Sequence, residues 1–228
     1  MLWRVSGSGG EGHVMRFRNR AHAAHLLAER LANYLGQHPL VLAIPRGAVP
    51  MGQIIADALE GELDVVLVHK LGARDQPELA IGAVDETGHL YLGKHAVGVS
   101  GAYLAMEKEA QLASLRKRRA LYTPVRPSID PAGRTVIVVD DGVATGSSMV
   151  AALRSVRAKG PTKLIAAMAV APPETLRRIA AEADEVICLE APALFYAVGQ
   201  FFEDFSQVSD AEVVAILQQS CPQPAPVE

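Results

Sequence analysis

The residue types best able to do chemistry are gathered in one stretch, Thr135–Val150, which reads TVIVVDDGVATGSSMV. Five mostly β-branched residues end in two adjacent carboxylates, Asp140 and Asp141. A small loop follows, Gly142, Val143, Ala144, Thr145 and Gly146, and Ser147 and Ser148 open a helical pattern. Such a loop lets backbone N–H groups approach an anion closely, and the helix start behind it adds unpaired N–H donors at the positive end of a dipole. The hydroxyls of Thr145, Ser147 and Ser148 can donate to the same anion. A carboxylate beside that cradle repels phosphate but accepts well from sugar hydroxyls. The stretch therefore reads as a sugar-phosphate site, with phosphate on residues 142–148 and vicinal hydroxyls on two acids standing at its rim. A divalent cation on the acid pair is the competing use, and no further acids lie near in sequence to complete a protein-held metal site. Strand end plus capped helix would explain either serine alone, but not two acids followed by TGSS.

The segment VIVVDDGVATGSSM resembles the phosphoribosyl-pyrophosphate (PRPP) motif of the type I phosphoribosyltransferases, in which an apolar strand, two acids and a T-G-S/T loop follow one another. The resemblance in strand and loop order runs from about Met15 to Gln219. It implies an enzyme that displaces pyrophosphate from PRPP with a nitrogen nucleophile, a nucleobase or related amine, using Mg²⁺ carried by the substrate. The catalytic set implied is Arg46, Lys70, Asp140 and Asp141. Pyrophosphate would meet Arg46 and Gly47 in the loop Ile44-Pro45-Arg46-Gly47-Ala48, where the family often has a cis peptide. Lys70 after the second strand and Arg74 in a mobile hood, 70–86, would complete that contact; the hood shows no second clear lysine. Enzymes for 6-oxopurines commonly carry an acid where this chain has Ala144, which turns the expectation toward adenine, a pyrimidine or another amine. A regulator that binds PRPP or a nucleotide without catalysis would need the same cradle and is the alternative.

Several elements must position these residues. A helix is expected from Asn19 to Gly36, and Leu40–Ile44 has the continuous apolar look of a buried parallel strand. Val49–Leu59 reads as a helix, Leu63–Val68 as a strand, 70–78 as a loop, and 81–92 as a hairpin about Glu86-Thr87-Gly88. Ser100 can cap a long helix to Tyr122. Thr135–Val139, Leu164–Val170 and Glu185–Leu189 are further strands, alternating with helices at 147–159 and 174–183 and closed by helical stretches at 193–202 and 211–219. The fold class expected is α/β, a doubly wound, mostly parallel five-stranded sheet with helices on both faces and a small hood. In such sheets ligands bind beyond the C-terminal strand ends, where the loops above lie. Residues 1–14 read as a flexible extension, 15–220 as the α/β domain and 221–228 as a frayed tail. A literal GxGxxG, Gly7–Gly12, lacks the preceding strand and following helix of a dinucleotide site.

Four of the five phenylalanines fall within 193–210, where Phe195 and Tyr196 could stack on an acceptor base or simply pack in the core or a homodimer. A formal charge of -3, from 22 basic and 25 acidic residues, and 5% aromatics give no footing for nucleic acid. The basic run Arg116–Arg119 suits a helix end. No apolar run is long enough for a membrane helix. Two cysteines, Cys188 and Cys221, build no disulfide framework and seven histidines show no zinc spacing, so a cytoplasmic setting is expected.

Overall fold

Val136 and Val138 face one side of a sheet while Ile137 and Val139 face the other, and the same alternation in the neighbouring strands divides the core into two apolar layers. The computed structural model describes residues 4–5, 15–93 and 96–220. In chain order its elements are β1 (Arg4–Val5), α1 (Arg20–Arg30), β2 (Leu40–Ala43), α2 (Val49–Ala58), β3 (Glu62–Val65), β4 (Val68–Ala73), β5 (Gln76–Asp85) and β6 (Leu90–Leu92). There follow α3 (Gly101–Tyr122), β7 (Thr135–Asp140), α4 (Ser147–Arg157), β8 (Lys163–Val170), α5 (Pro173–Ile179), β9 (Glu185–Glu190) and α6 (Asp210–Gln219). The main sheet has the order β1-β9-β8-β7-β2-β3, every pair parallel. Helices α1, α2 and α6 pack on the layer containing Val41, Ile137 and Ile165; α4 and α5 pack on the layer containing Leu42, Val138 and Ala166. The doubly wound α/β fold with its five-stranded core is therefore as expected, and β2 and β7 lie side by side, so their following loops meet at one edge.

The hood differs from expectation. Residues 70–78 are not a loop: Lys70 lies in β4, which pairs antiparallel with β5, and β5 with β6, as a three-stranded meander. The Gly72 and Pro77 that suggested a loop sit where the β4–β5 register shifts, so a strand with an irregularity looked like a break. Buried Asp85 pins this sheet to α4. Its Oδ1 accepts from the Thr87 amide and hydroxyl (2.9 and 2.5 Å) and the His89 amide (3.0 Å), and its Oδ2 from Tyr91 (2.8 Å) and Ser155 (2.9 Å). Burial would raise the Asp85 pKa, but the bonds from Thr87, Tyr91 and Ser155 outweigh it and hold the group below its ordinary value. Arg119 ties α3 to the same region through Glu86 (2.5 Å).

Three further differences concern the ends. Residues 4–5 form a strand beside Ile187 and Cys188, so the first fourteen residues are not wholly without an element and a short strand does precede Gly7–Gly12. The glycines themselves and the 221–228 tail lie outside the described residues. Residues 193–197 are not helical; only Val198–Phe201 forms a 3₁₀ turn. That segment is zipped to the chain start, where the Phe17 amide bonds Phe201 O (2.8 Å) and the Glu203 amide bonds Phe17 O (2.8 Å).

Candidate functional site

Beyond β7 the chain makes the loop 141–146 before α4 begins. Gly146 is left-handed (φ 81°) at the helix N-cap, a conformation that favours glycine. The Ala144 carbonyl accepts from the Thr175 hydroxyl (2.7 Å) and the Thr145 carbonyl from the Arg178 guanidinium (2.7 Å), both on α5. In a trans peptide the N–H points opposite its carbonyl, so the amides of Thr145 and Gly146 are turned away from α5. The first-turn amides of Ser147 and Ser148 stand beside them without intrahelical acceptors, and the Thr145 and Ser147 hydroxyls lie 3.3 Å apart. These amides and hydroxyls are hydrogen-bond donors of the kind that an anion can satisfy. It is smaller than the sequence reading, because the Val143 amide is bonded to Val170 O (2.8 Å) and the Gly142 amide is turned to the Asp141 carboxylate. Gly142 serves packing instead: a Cβ there would lie 2.4 Å from Val198 Cγ1.

The two acids have parted company. Asp140 is half-buried, accepts the Asp141 amide (2.9 Å), and among the described residues has no ion pair. Burial, then the like charge of Asp141, pushes its pKa well above the usual carboxylate range. Asp141 is not at the rim as expected. It is 9% exposed, and its Oδ2 accepts from Arg20 Nε at 2.7 Å. Burial raises its pKa as well, and the Arg20 bond works against that rise. The physical reason is strand parity. Asp140 continues the Val136–Val138 side, and Asp141 the Ile137–Val139 side on which α1 packs.

Across from this loop, 44–48 follows β2, and the Pro45–Arg46 peptide is cis. Gly47 packs directly on the ion pair: a Cβ there would fall 2.1 Å from Asp141 Oδ2 and 3.1 Å from Arg20 Nη2. Arg46 is part-exposed, its Nη1 3.4 Å from Asp210 Oδ2 on α6. The other oxygen of Asp210 accepts from Tyr122 (3.1 Å), whose pKa burial and that bond push up to about 12. Lys70 is half-buried in β4, and Arg74 is exposed at the β4–β5 turn. Of the aromatic pair, Phe195 packs on Phe201 (centroids 5.3 Å apart), while Tyr196 is 85% exposed on a turn held by Gln200, which accepts from the Tyr196 and Ala197 amides. Val198 brings that turn against Gly142.

The structure thus gathers residues 44–48, Asp140 and 141–148 at one edge and sets Lys70 and Arg74 on the hood. Sequence reasoning missed Arg20, Asp210, Thr175 and Arg178. Arg20 alone left a signal, a cation at the first residue of a helix, where the dipole disfavours it.

The fold and the loop at the end of β7 define a doubly wound α/β protein whose candidate site lies beyond the C-terminal ends of β2 and β7. The chain belongs to the phosphoribosyl transferase domain family, which it matches over residues 17–205. It is 41% identical over 207 residues to two Mycobacterium tuberculosis proteins, one from strain CDC 1551 and one from strain H37Rv, the latter named "Putative phosphoribosyl transferase Rv0571c". That match covers 90% of this chain and 47% of each relative, so the chain spans about half their length. The crystal structure of TT1426 from Thermus thermophilus is similar at a TM-score of 0.82 and 48% identity, covering 90% of this chain and 99% of that one. Among the described residues no helix is long and apolar enough to cross a membrane.

Proposed function

We propose that this chain transfers the phosphoribosyl group of PRPP to a nitrogen nucleophile. The observation that carries the reading is the set of amides from Thr145 to Ser148, those of Thr145 and Gly146 turned away from α5, beside a half-buried Asp140 that has no ion pair among the described residues, across from the loop 44–48 that bears Arg46. The 5′-phosphate would take the amides and the Thr145, Ser147 and Ser148 hydroxyls; the ribose hydroxyls would donate to Asp140. As the bond from C1 to pyrophosphate breaks, positive charge builds on the sugar and negative charge on the leaving group. Arg46 would stabilise the latter, joined by Lys70 and Arg74 if the hood swings over. The acceptor nitrogen forms the new bond to C1 as the C1–O bond to pyrophosphate breaks, and its proton passes to solvent or to the departing pyrophosphate.

Among the described residues no three His, Cys, Asp or Glu side chains are grouped to hold a metal ion, and Asp141 is already engaged by Arg20. The donor set fits Mg²⁺ carried in on the pyrophosphate, as part of the substrate. Ala144 offers no acid to an acceptor, which favours adenine, a pyrimidine or another amine over a 6-oxopurine. Tyr196 is the exposed ring available for stacking, and a cytoplasmic setting would supply the substrate.

The second reading, a PRPP-binding regulator, draws on the internal engagement of Arg46 by Asp210. Incubation with Mg²⁺ and PRPP and a panel of nucleobases, with pyrophosphate measured, separates the two. Turnover with any acceptor establishes the transferase; PRPP binding without release across the panel favours the regulator. Absence of PRPP binding by calorimetry overturns both.

A further inference from the structure

Arg20 has no part in the chemistry above, yet its guanidinium is held by three contacts at this edge of the sheet. Its side chain is 13% exposed. Nε donates to Asp141 (2.7 Å), Nη1 donates to the Ser206 carbonyl (2.6 Å), and the guanidinium carbon lies 3.9 Å above the Phe205 ring. Its position at the start of α1 opposes the helix dipole, so local helix energetics do not explain an arginine there. Tertiary contacts must. The pairing sits where three segments converge: the loop after β2, through Gly47; the loop after β7, through Asp141; and the segment 205–206, through the ring and carbonyl.

We propose that Arg20 is a positioning residue which, through Asp141, fixes the pyrophosphate loop 44–48 against the phosphate loop 142–148, so that both ends of one PRPP molecule are met in register. The proposal rests on the PRPP reading. Asp141 is then the bridge between loops and Asp140 the acid that meets the sugar. The mechanism is steric as well as electrostatic. The Asp141 oxygen that Arg20 holds is the one that leaves no room for a side chain at residue 47, so the backbone of the loop rests directly on the carboxylate whose place Arg20 sets. Three of the planar fork's contacts (acid, carbonyl, ring) fix the carboxylate in direction, and a lysine ammonium supplies charge without that geometry.

A register device has a signature that neither a phosphate ligand nor a simple stabilising pair shares. Ribose 5-phosphate touches one loop and pyrophosphate the other; only PRPP spans both. Calorimetric titration of the full chain with each of the three, the latter two with Mg²⁺, reads this directly. In Arg20→Met, ribose 5-phosphate and pyrophosphate should each stay within about threefold of the unsubstituted chain, while PRPP weakens by about 100-fold, the scale set by a misplacement near 1 Å. Arg20→Lys should recover part of the PRPP affinity, and it carries the same comparison if the methionine variant does not fold. Asp141→Asn, which keeps an acceptor oxygen, should leave ribose 5-phosphate within about threefold.

The proposal is overturned if pyrophosphate alone weakens as much as PRPP, making Arg20 a direct ligand, or if all three ligands weaken alike or not at all. Loss of ribose 5-phosphate binding in Asp141→Asn would return Asp141 to the sugar and overturn it too. If the unsubstituted chain binds none of the three, the PRPP reading itself has failed.

Discussion

Asp140→Asn should make the protein more stable and a worse binder at once. The carboxylate sits half-buried at the end of β7 with one amide bond and, among the described residues, no ion pair, and burial followed by the Asp141 charge raises its pKa well above the ordinary range. A folded-state pKa above the unfolded value means that the ionised form costs stability at neutral pH, and that the cost fades as pH falls through the folded pKa toward the unfolded value near ~3.9. Asparagine keeps an oxygen for the Asp141 amide and removes the charge. A gain of about 1 kcal/mol is expected at pH 7, or roughly 2–4 °C in Tm for a domain of this size. The gain should shrink as pH falls toward about 4. On the binding side, each ribose hydroxyl exchanges a charge-assisted bond for a neutral one, a loss of about 1–2 kcal/mol. Two hydroxyls give about 2–4 kcal/mol, roughly a 30- to 1,000-fold weaker Kd for PRPP. Thermal unfolding from pH 4 to 8 and calorimetry with PRPP and Mg²⁺ measure both. A destabilised variant that still binds PRPP at full strength would refute the sugar role of Asp140 and the account of its burial together.

Gly142→Ala should destabilise by about 1–3 kcal/mol through overpacking, because its Cβ would fall 2.4 Å from Val198 Cγ1 and 2.9 Å from Val170 Cγ1. An unchanged urea midpoint would show that the 198–201 turn is not seated there. Asp85→Asn should cost about 3 kcal/mol at pH 7, since five donors lose a charged acceptor. Because the folded pKa of Asp85 is lowered, this contribution is present above the unfolded value and is lost as pH falls through the folded one, so mutant and parent unfolding curves should converge in acid. Cys188, 1% exposed and pushed up to about 12 by burial, should resist iodoacetamide in the native Cys221→Ser variant and react on unfolding. Rapid native labelling would contradict the packing of β9.

The main sheet was legible because its strands are continuous apolar runs. Leu40–Ala43 and Val136–Val139 are buried on both faces and leave no competing pattern. The loop between β7 and α4 was legible as a loop because glycine and hydroxyl residues follow a strand directly. The hood was not. β4 reads VHKLGA, short of β-branched residues, and it is held by Asp85 and by pairing with β5 rather than by its own propensity. The 193–197 segment looked helical because its apolar residues recur, whereas Gln200 ties its amides into a turn. Long-range partners such as Arg46 with Asp210, 164 residues apart, have no local trace at all.

The acid pair shows where local reading could have gone one step further. Neighbouring residues at the end of a strand cannot face the same layer, since side chains alternate with period two. With Val139 on the α1 side, Asp141 had to meet that helix layer and Asp140 the other, whatever ligand the motif serves. A buried carboxylate in that layer needs a cation, because an unpaired ion there would cost several kcal/mol. Among the residues α1 can offer at its start, Arg20 has the reach and the planar fork. Two identical side chains, adjacent in sequence, are thereby placed differently by geometry alone: Asp140 has no ion pair among the described residues, and Asp141 is paired with Arg20 against Gly47.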